Sequence, residues 1–295
     1  MVFSGAVSKS GYQIGFVKSL LKYVDMDEIK AISGASMGML CAYALASNKM
    51  DVFESFFRSV NMGKKSQLFY QVFFKKLMYR EVRSFVDCND EMKIPLAFPV
   101  CYMPIYNVKY YWLKGQYNPI WFRYICAAIN YPFLHVFPTL LNGRFAIDGG
   151  AADNIPLFPL LTHGKDFLED GQDFDLVIVM HFDARYDYRI DFTTDVPVLE
   201  LDLAVCNQFK KNHYDFSSEF VDEMITKAEE YGDKVFDRLF SSDCSKESLQ
   251  KVINEIFLEE HAIRQKNMSL DRLVTILNKV GKTLREDSTC NKNLF

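Results

Sequence analysis

A serine between small residues is the clearest chemical signal in this sequence. Ser36 is the third residue of the run Gly-Ala-Ser-Met-Gly that extends from Gly34 to Gly38, a G-x-S-x-G pattern. A short apolar run precedes it, and a run of small and apolar residues reaching Ala46 follows it. A strand, a tight turn and a helix in this order form a nucleophile elbow, which exposes the serine hydroxyl on a strained backbone. We predict Ser36 as a nucleophile, with Gly34 and Gly38 leaving room for the turn.

A serine hydroxyl needs a base within hydrogen-bonding distance before it can attack at neutral pH. Asp148 is our candidate, because it ends a short strand-like run and is followed by Gly149 and Gly150. Open α/β sheets bind ligands at the carboxyl ends of their strands, and the glycines allow a sharp turn there. The alternative interpretation of Asp-Gly-Gly is an ordinary turn. A Ser-acid-His hydrolase fits poorly, since only one strand precedes the elbow. The five histidines stand at positions 135, 163, 181, 213 and 261.

Strands and helices alternate at the start of the chain. The first four predicted elements are a strand, a helix, a strand and a helix, at 1–4, 11–24, 29–33 and 37–46. Further strands are predicted at 96–102, 110–113, 143–148, 175–180 and 198–203. This order predicts an α/β fold, a three-layer α/β/α sandwich with a mainly parallel central sheet. Long helical patterns cover 216–240 and 245–285, so we divide the chain into a main domain, 1–240, and a C-terminal helical extension, 241–295.

Composition narrows the classes of function. The 295 residues carry a formal charge of −4, which argues against nucleic acid as a general partner. Seven scattered cysteines without a C-x-x-C pair are typical of free thiols in a reducing compartment. Residues 1–20 lack the pattern of a secretory signal, and no apolar stretch approaches the ~18 residues needed to cross a membrane. We therefore expect a cytoplasmic protein.

The order of these motifs resembles the patatin-like phospholipases over about residues 1–238. That family has a glycine-rich loop near the N-terminus, then G-x-S-x-G, and later D-G-[GA] with Asn and Pro shortly after. The matching positions are the loop Ser4–Gly15, the elbow Gly34–Gly38, and Asp148–Gly150 with Asn154 and Pro156. The segment from Tyr214 to Gly232 resembles the family's closing helix, and residues 127–132 correspond to a support for the active-site loops.

The resemblance implies a Ser36–Asp148 dyad without histidine, metal or cofactor. Ser36 would attack an acyl ester of a phospholipid or lysophospholipid, and Asp148 would take its proton and later activate water. Because an aspartate of ordinary pKa is a weak base, we expect a dry environment around the pair. The main-chain amides of Gly5, Ala6 and Val7, with Met37 as a further donor, would bind the oxyanion, and Gly149 and Gly150 would support the site. An acyltransferase would share this chemistry.

The loop departs from the family pattern, because Ala6, Val7 and Ser10 replace glycines while Lys9 keeps the basic position. A β-branched residue such as Val7 is strained at positive φ. Either the loop keeps negative φ throughout and the protein is active, or the oxyanion hole is spoiled. The second interpretation predicts a catalytically weakened lipid- or partner-binding protein.

Two stretches of the sequence are rich in aromatic residues. Residues 52–86 mix rings with Lys and Arg, as helices on anionic membrane surfaces do, so we expect peripheral membrane contact there. The alternative is a lid whose rings pack on the protein. A second aromatic cluster, 106–137, is explained as well by core packing.

Overall fold

The computed structural model describes residues 1–59, 82–83, 85–105, 107–130, 138–168, 172–182, 195–203, 217–241, 243 and 245–266. Within these residues the chain has an α/β fold built on one mixed, mostly parallel sheet of eight strands. The α/β class predicted from the alternation of elements is therefore confirmed.

The strands are β1 Val2–Phe3, β2 Ile32–Gly34, β3 Glu91–Tyr102, β4 Asn107–Gln116, β5 Thr139–Leu141, β6 Arg144–Asp148, β7 Val177–His181 and β8 Val198–Asp202. They follow the order β5-β6-β3-β2-β1-β7-β8 across the sheet, and β4 is paired to β3. The five strands β8, β7, β1, β2 and β3 are parallel to their neighbours in this group, whereas β4, β5 and β6 pair antiparallel. The antiparallel strands belong to two hairpins that the sequence analysis did not predict as such.

The helices are α1 Ser10–Leu20, α2 Ser36–Ala46, α3 Met50–Ser59, α4 Ile120–Ala128, α5 Phe158–His163, α6 Ser218–Phe240 and α7 at 246–266. α2 is buried from Met37 to Ala46 because it is made of small and apolar residues. α7 packs Leu249, Ile253 and Ile256 into the same apolar core as the sheet. No helix of the described residues combines the length and the apolar character needed to cross a bilayer.

β3 brings strands from three parts of the chain together. One edge of β3 pairs antiparallel with β4. The opposite edge pairs first with β2, where Ser33 lies beside Ala97, and farther along with β6, where Asp148 lies beside Val100. Because β2 runs parallel to β3 and β6 antiparallel, the carboxyl ends of β2 and β6 point toward each other along this edge.

The described part of the 52–86 segment packs inward. Phe53 and Phe57 of α3 and Phe85 are buried, and their rings contact one another. Glu54 binds Lys18. For these residues the packing agrees with the lid-like alternative, while residues 60–81 and 84 lie outside the described residues. The membrane contact expected of this segment stays a prediction.

Candidate active site

Ser36 lies on a strained turn between β2 and α2. Its φ is 52°, a value that non-glycine residues rarely adopt, and its side chain is half-buried. A Cβ on Gly38 would overlap the carbonyl oxygen of Ser4, and one on Gly34 would lie 2.8 Å from the Gly38 oxygen. These contacts are typical of a nucleophile elbow and explain why both flanking positions lack a side chain.

Asp148 is completely buried at the end of β6. Its Oδ1 accepts a 2.7 Å hydrogen bond from the main-chain amide of Gly150, and its own amide donates to the Asn130 carbonyl at 3.0 Å. A Cβ on Gly149 would overlap the carbonyl oxygen of Pro99, so this turn requires glycine. Asn130 belongs to the segment 127–132 that the resemblance assigns as a support for the site, and residues 131 and 132 of it lie outside the described residues.

The sheet brings Ser36 and Asp148 together. Ser36 follows the carboxyl end of β2, Asp148 is the last residue of β6, and these ends face each other along β3. The Ser36 Cβ and the Asp148 Oδ1 both lie within 4 Å of the position that a Cβ on Gly150 would occupy. Residues that are far apart in sequence are therefore neighbours at one end of the sheet.

The electrostatic environment of Asp148 suits a base. Burial raises the pKa of its carboxyl to about 7, although contacts with the Ser36 hydroxyl and the Gly150 amide lower it. Among the described residues, no group forms a standard hydrogen bond with the buried Oδ2. The Ser36 hydroxyl is thus close enough to influence the carboxyl without a fully formed hydrogen bond. Catalytic hydrogen bonds often become well aligned only when substrate binds.

The N-terminal loop differs from the prediction at Gly5. The Gly5 amide donates to the main-chain oxygen of Asn154 at 3.1 Å, so in this conformation it is not available to an oxyanion. The amides of Ala6, Val7 and Met37 make no hydrogen bond with the described residues. Of the four donors predicted for the oxyanion, these three keep their N–H groups open.

Val7 contradicts the expectation of negative φ throughout the loop. Its φ is 50°, although it is β-branched. Such a residue is a genuine outlier, and its strain persists only where the surrounding structure determines it. The loop therefore keeps a glycine-like turn with a valine in place.

Asn154 holds two parts of the site together, a role that the sequence analysis did not assign. Its side-chain amide donates to the Gly5 carbonyl at 3.2 Å, in addition to the contact through its main chain. Two residues later, the Pro156 carbonyl accepts a 2.6 Å hydrogen bond from the buried hydroxyl of Ser33. The segment after Asp148 thereby fixes both the N-terminal loop and the strand that leads to Ser36.

The described histidines interact elsewhere. His181 is buried 2.8 Å from Glu200, His163 lies near Asp166, and His261 contacts Gln265. His135 and His213 lie outside the described residues. No group of three or more His, Cys, Asp or Glu in the described ranges is arranged to hold a metal ion. Four cysteines of these ranges, Cys41, Cys88, Cys101 and Cys126, are free thiols.

Comparison with known proteins adds no assignment. No model of a known protein family matches the chain, and no curated protein matches it significantly.

Proposed function

We propose that this protein is a serine acyl hydrolase of the patatin-like type, with Ser36 as nucleophile and Asp148 as general base. One observation carries the proposal: a serine on a strained elbow faces a buried carboxyl whose pKa is raised to about 7. A base is most effective when its pKa lies near the working pH. Sequence motifs and site geometry agree on the same two residues.

The reaction proceeds through an acyl-enzyme. The Ser36 Oγ attacks the ester carbonyl carbon while Asp148 accepts the hydroxyl proton. Collapse of the tetrahedral intermediate breaks the bond to the leaving alcohol, which takes this proton from Asp148. Asp148 then deprotonates a water molecule that attacks the acyl group, and Ser36 recovers its proton as the fatty acid leaves. No cofactor enters these steps.

The open amides of Ala6, Val7 and Met37 are the proposed donors to the oxyanion. Met37 lies in the first turn of α2, where main-chain amides and the helix dipole favour negative charge. Loss of one oxyanion donor costs roughly 10²–10³ in turnover. The Gly5 amide, which is bound to Asn154, is not needed in this scheme.

The proposed substrates are phospholipids or lysophospholipids, and the site would release a fatty acid. We propose a three-layer α/β/α sandwich and a cytoplasmic location with peripheral contact at a membrane. These assignments rest on the motif resemblance. Product analysis with phospholipid and with lysophospholipid, each with and without an added alcohol, would distinguish a hydrolase from an acyltransferase. A hydrolase would release fatty acid, whereas an acyltransferase would form an ester with the alcohol.

A fluorophosphonate probe tests the central claim. We expect it to modify the native chain at Ser36, located by mass spectrometry of the labelled peptide. Ser36→Ala should abolish labelling, and Asp148→Asn should slow it by roughly 10²–10⁴ through loss of the base. Ser47→Ala is the matched control, because Ser47 ends the same helix and binds the Tyr43 carbonyl.

An unlabelled native chain, or labelling at another serine, would contradict the proposal. Lack of labelling together with lipid binding would favour the catalytically weakened binding protein. That alternative draws on one observation, the strained backbone of Val7 beside the proposed oxyanion site.

A further inference from the structure

Two hairpins extend past the nucleophile at its end of the sheet. β3 continues for five residues beyond Ala97, the partner of Ser33 in β2, or roughly 16 Å of extended chain. The turn between β3 and β4 and the Asn142–Gly143 turn between β5 and β6 both lie beyond that point. They are joined where the Met103 amide donates to the Phe145 carbonyl at 2.9 Å. The hairpins thus extend beyond Ser36 at the end of the sheet that carries the candidate site.

Large apolar side chains are exposed on these hairpins. Ile105 is 72% exposed, Phe145 57% and Leu140 54%. Leu140 and Phe145 are directly opposed in the β5–β6 pair, so their side chains lie on one face. We call these three residues the apolar tip. Clustered exposed apolar groups mark a surface that meets a partner or a membrane, whereas single ones do not.

Three cations lie on these hairpins and the helix beside them. Arg144 and Lys109 are on the face opposite to Phe145, because successive residues of a strand point to opposite faces of the sheet. The guanidinium of Arg144 and the ammonium of Lys109 lie over the ring of Tyr102, at 5.1 and 6.0 Å from its centre. Arg123 donates to the Leu140 carbonyl at 3.2 Å. In the described part of the chain, none of these three cations has a carboxylate within ion-pair distance. Their charges remain available to an anionic surface.

The sequence segregates charge around this surface. Residues 92–147, which supply both hairpins, contain five Lys and Arg and no Asp or Glu. All 38 acidic residues of the chain lie outside this segment, although the chain as a whole has a formal charge of −4. A positive region on a negative protein orients the molecule toward an anionic partner.

We propose that the apolar tip and these cations dock on an anionic phospholipid surface, at the end of the sheet that carries the candidate site. Exposed Leu, Ile and Phe side chains suit the acyl region, while Arg and Lys suit anionic head groups. This docking surface rests on the proposed function, because it is the surface that would meet the lipid substrate. It is separate from the 52–86 segment for which membrane contact was expected from the sequence.

Vesicle binding by the full-length Ser36→Ala chain tests the proposal without hydrolysis. We expect binding to vesicles of equal parts phosphatidylcholine and phosphatidylserine and much weaker binding to phosphatidylcholine alone. Arg144→Gln should weaken the anionic binding about fivefold, since one basic residue near the surface is lost. Leu140→Ser with Phe145→Ser should weaken it at least about tenfold through lost apolar burial.

Leu258→Ser is the matched apolar control, because Leu258 of α7 is 64% exposed and distant in sequence from the tip. Lys165→Gln is the control for Arg144→Gln, because it removes one positive charge at a position outside the two hairpins. Both controls should bind vesicles as the parent chain does. Circular dichroism and thermal unfolding of every variant separate lost binding from lost folding.

Several outcomes would overturn the proposal: no binding to anionic vesicles, equal binding to neutral ones, or equal losses in the tip variants and their controls. Hydrolysis of soluble p-nitrophenyl butyrate by the native Ser36 chain separates the two proposals. Ester hydrolysis without vesicle binding refutes the docking surface alone. Vesicle binding without ester hydrolysis or probe labelling refutes the hydrolase alone.

Discussion

At the residue scale, backbone strain is concentrated at the candidate site. Among the described residues, four non-glycine residues have positive φ. Asn48 and Asn142 belong to the residue type that tolerates this region best, but Val7 and Ser36 do not. Each such residue costs roughly 1–3 kcal/mol. Strain at both the nucleophile and the loop beside it indicates that the fold preserves this geometry at a cost in stability.

The conformation of Val7 predicts an unusual order of substitutions. Val7→Gly should give a folded state more stable than Val7→Ala by about 1 kcal/mol, because only glycine adopts positive φ without a steric cost. The control is Val52, an exposed position in α3. There the Val52→Ala variant should be more stable to unfolding than Val52→Gly by about 1 kcal/mol, because alanine has the higher helix propensity. Urea unfolding of the four variants measures both differences. If the alanine variant were the more stable one at position 7 as well as at position 52, the strained conformation of Val7 would be contradicted.

Asp148 links catalysis to stability. Because its pKa is raised from 3.8 to about 7 in the folded state, the folded protein loses stability as the pH rises through this window. Asp148→Asn removes the buried charge and should therefore raise the free energy of unfolding at pH 8. The size of the pKa shift sets an upper limit of a few kcal/mol for this increase. At pH 4 the difference should nearly vanish.

The carboxyl of Asp233 gives the opposite control, since its pKa is lowered by Ser19 and Lys22. Asp233→Asn should therefore reduce stability at neutral pH and not increase it. Chemical unfolding at both pH values measures the two variants. A loss of stability for Asp148→Asn at pH 8 would show that the carboxyl is not buried in its charged form.

At the scale of elements, close helix packing depends on glycine. A Cβ on Gly15 of α1 would overlap the Ile225 carbonyl oxygen of α6 and lie 2.8 Å from the Ala228 Cβ. The backbone of α6 cannot move aside without disturbing its own hydrogen bonds. The contact fixes the spacing of α1 and α6.

Gly15→Ala should lower the free energy of unfolding by about 1–3 kcal/mol through overpacking. Gly11→Ala on the same helix is the control, because its Cβ would lie 3.1 Å from the Cε and 3.2 Å from the Cβ of Met224 and would overlap no backbone atom. There the intrinsic helical preference for alanine, about 1 kcal/mol, offsets the contact. Thermal unfolding should therefore separate the two variants clearly, and equal effects would contradict this packing.

A buried polar cluster attaches α7 to the sheet. Glu260 is buried, and it accepts hydrogen bonds from the Tyr231 hydroxyl at 2.7 Å and from the Asp202 amide at 3.1 Å. Arg264 donates to the Asp202 carboxylate from Nε at 3.0 Å. Together with the apolar contacts of α7, these bonds join residues 246–266 to the end of β8.

Arg264→Ala should destabilise the protein by about 3 kcal/mol, because it removes the cation beside a buried carboxylate. Arg238→Ala is the matched control, since Arg238 of α6 forms exposed ion pairs with Glu255 and Glu259 of α7. Exposed pairs contribute at most about 1 kcal/mol. Equal losses in urea unfolding would argue against a structural role for the buried cluster.

At the scale of the whole molecule, two buried carboxyls contribute to the response of stability to pH. Burial raises the pKa of Asp148 to about 7 and that of Glu260 to about 8. Both groups are buried in regions that join distant parts of the chain. These two groups therefore weaken the folded state as the pH rises from about 4 to about 8, a range in which a base at Asp148 becomes active.

The rate of probe labelling should follow the deprotonation of Asp148. We expect the rate to rise about tenfold per pH unit below a pKa of about 7 and to level off above it. The measurement is a labelling time course across this range. Asp148→Asn should label slowly without this pH dependence, whereas Glu260→Gln should keep the native profile. A profile that is flat through pH 7 would contradict Asp148 as the base.

The sequence by itself determined the local features of the candidate site. The elbow around Ser36 could be predicted because its turn depends on small residues at fixed spacing. The alternation of elements likewise predicted the α/β class. The β5–β6 hairpin was missed, although the Asn142–Gly143 pair that forms its turn, at φ 52° and 74°, is a recognised hairpin signal.

Only the tertiary structure decided what these features do together. The approach of Asp148 to Ser36 depends on β2 and β6 sharing one edge of β3 in opposite directions, and no local preference encodes that register. The Gly5 amide was lost as an oxyanion donor because Asn154, far along the chain, accepts its hydrogen. The raised pKa of Asp148 comes from burial, which exists only once the chain has folded around it.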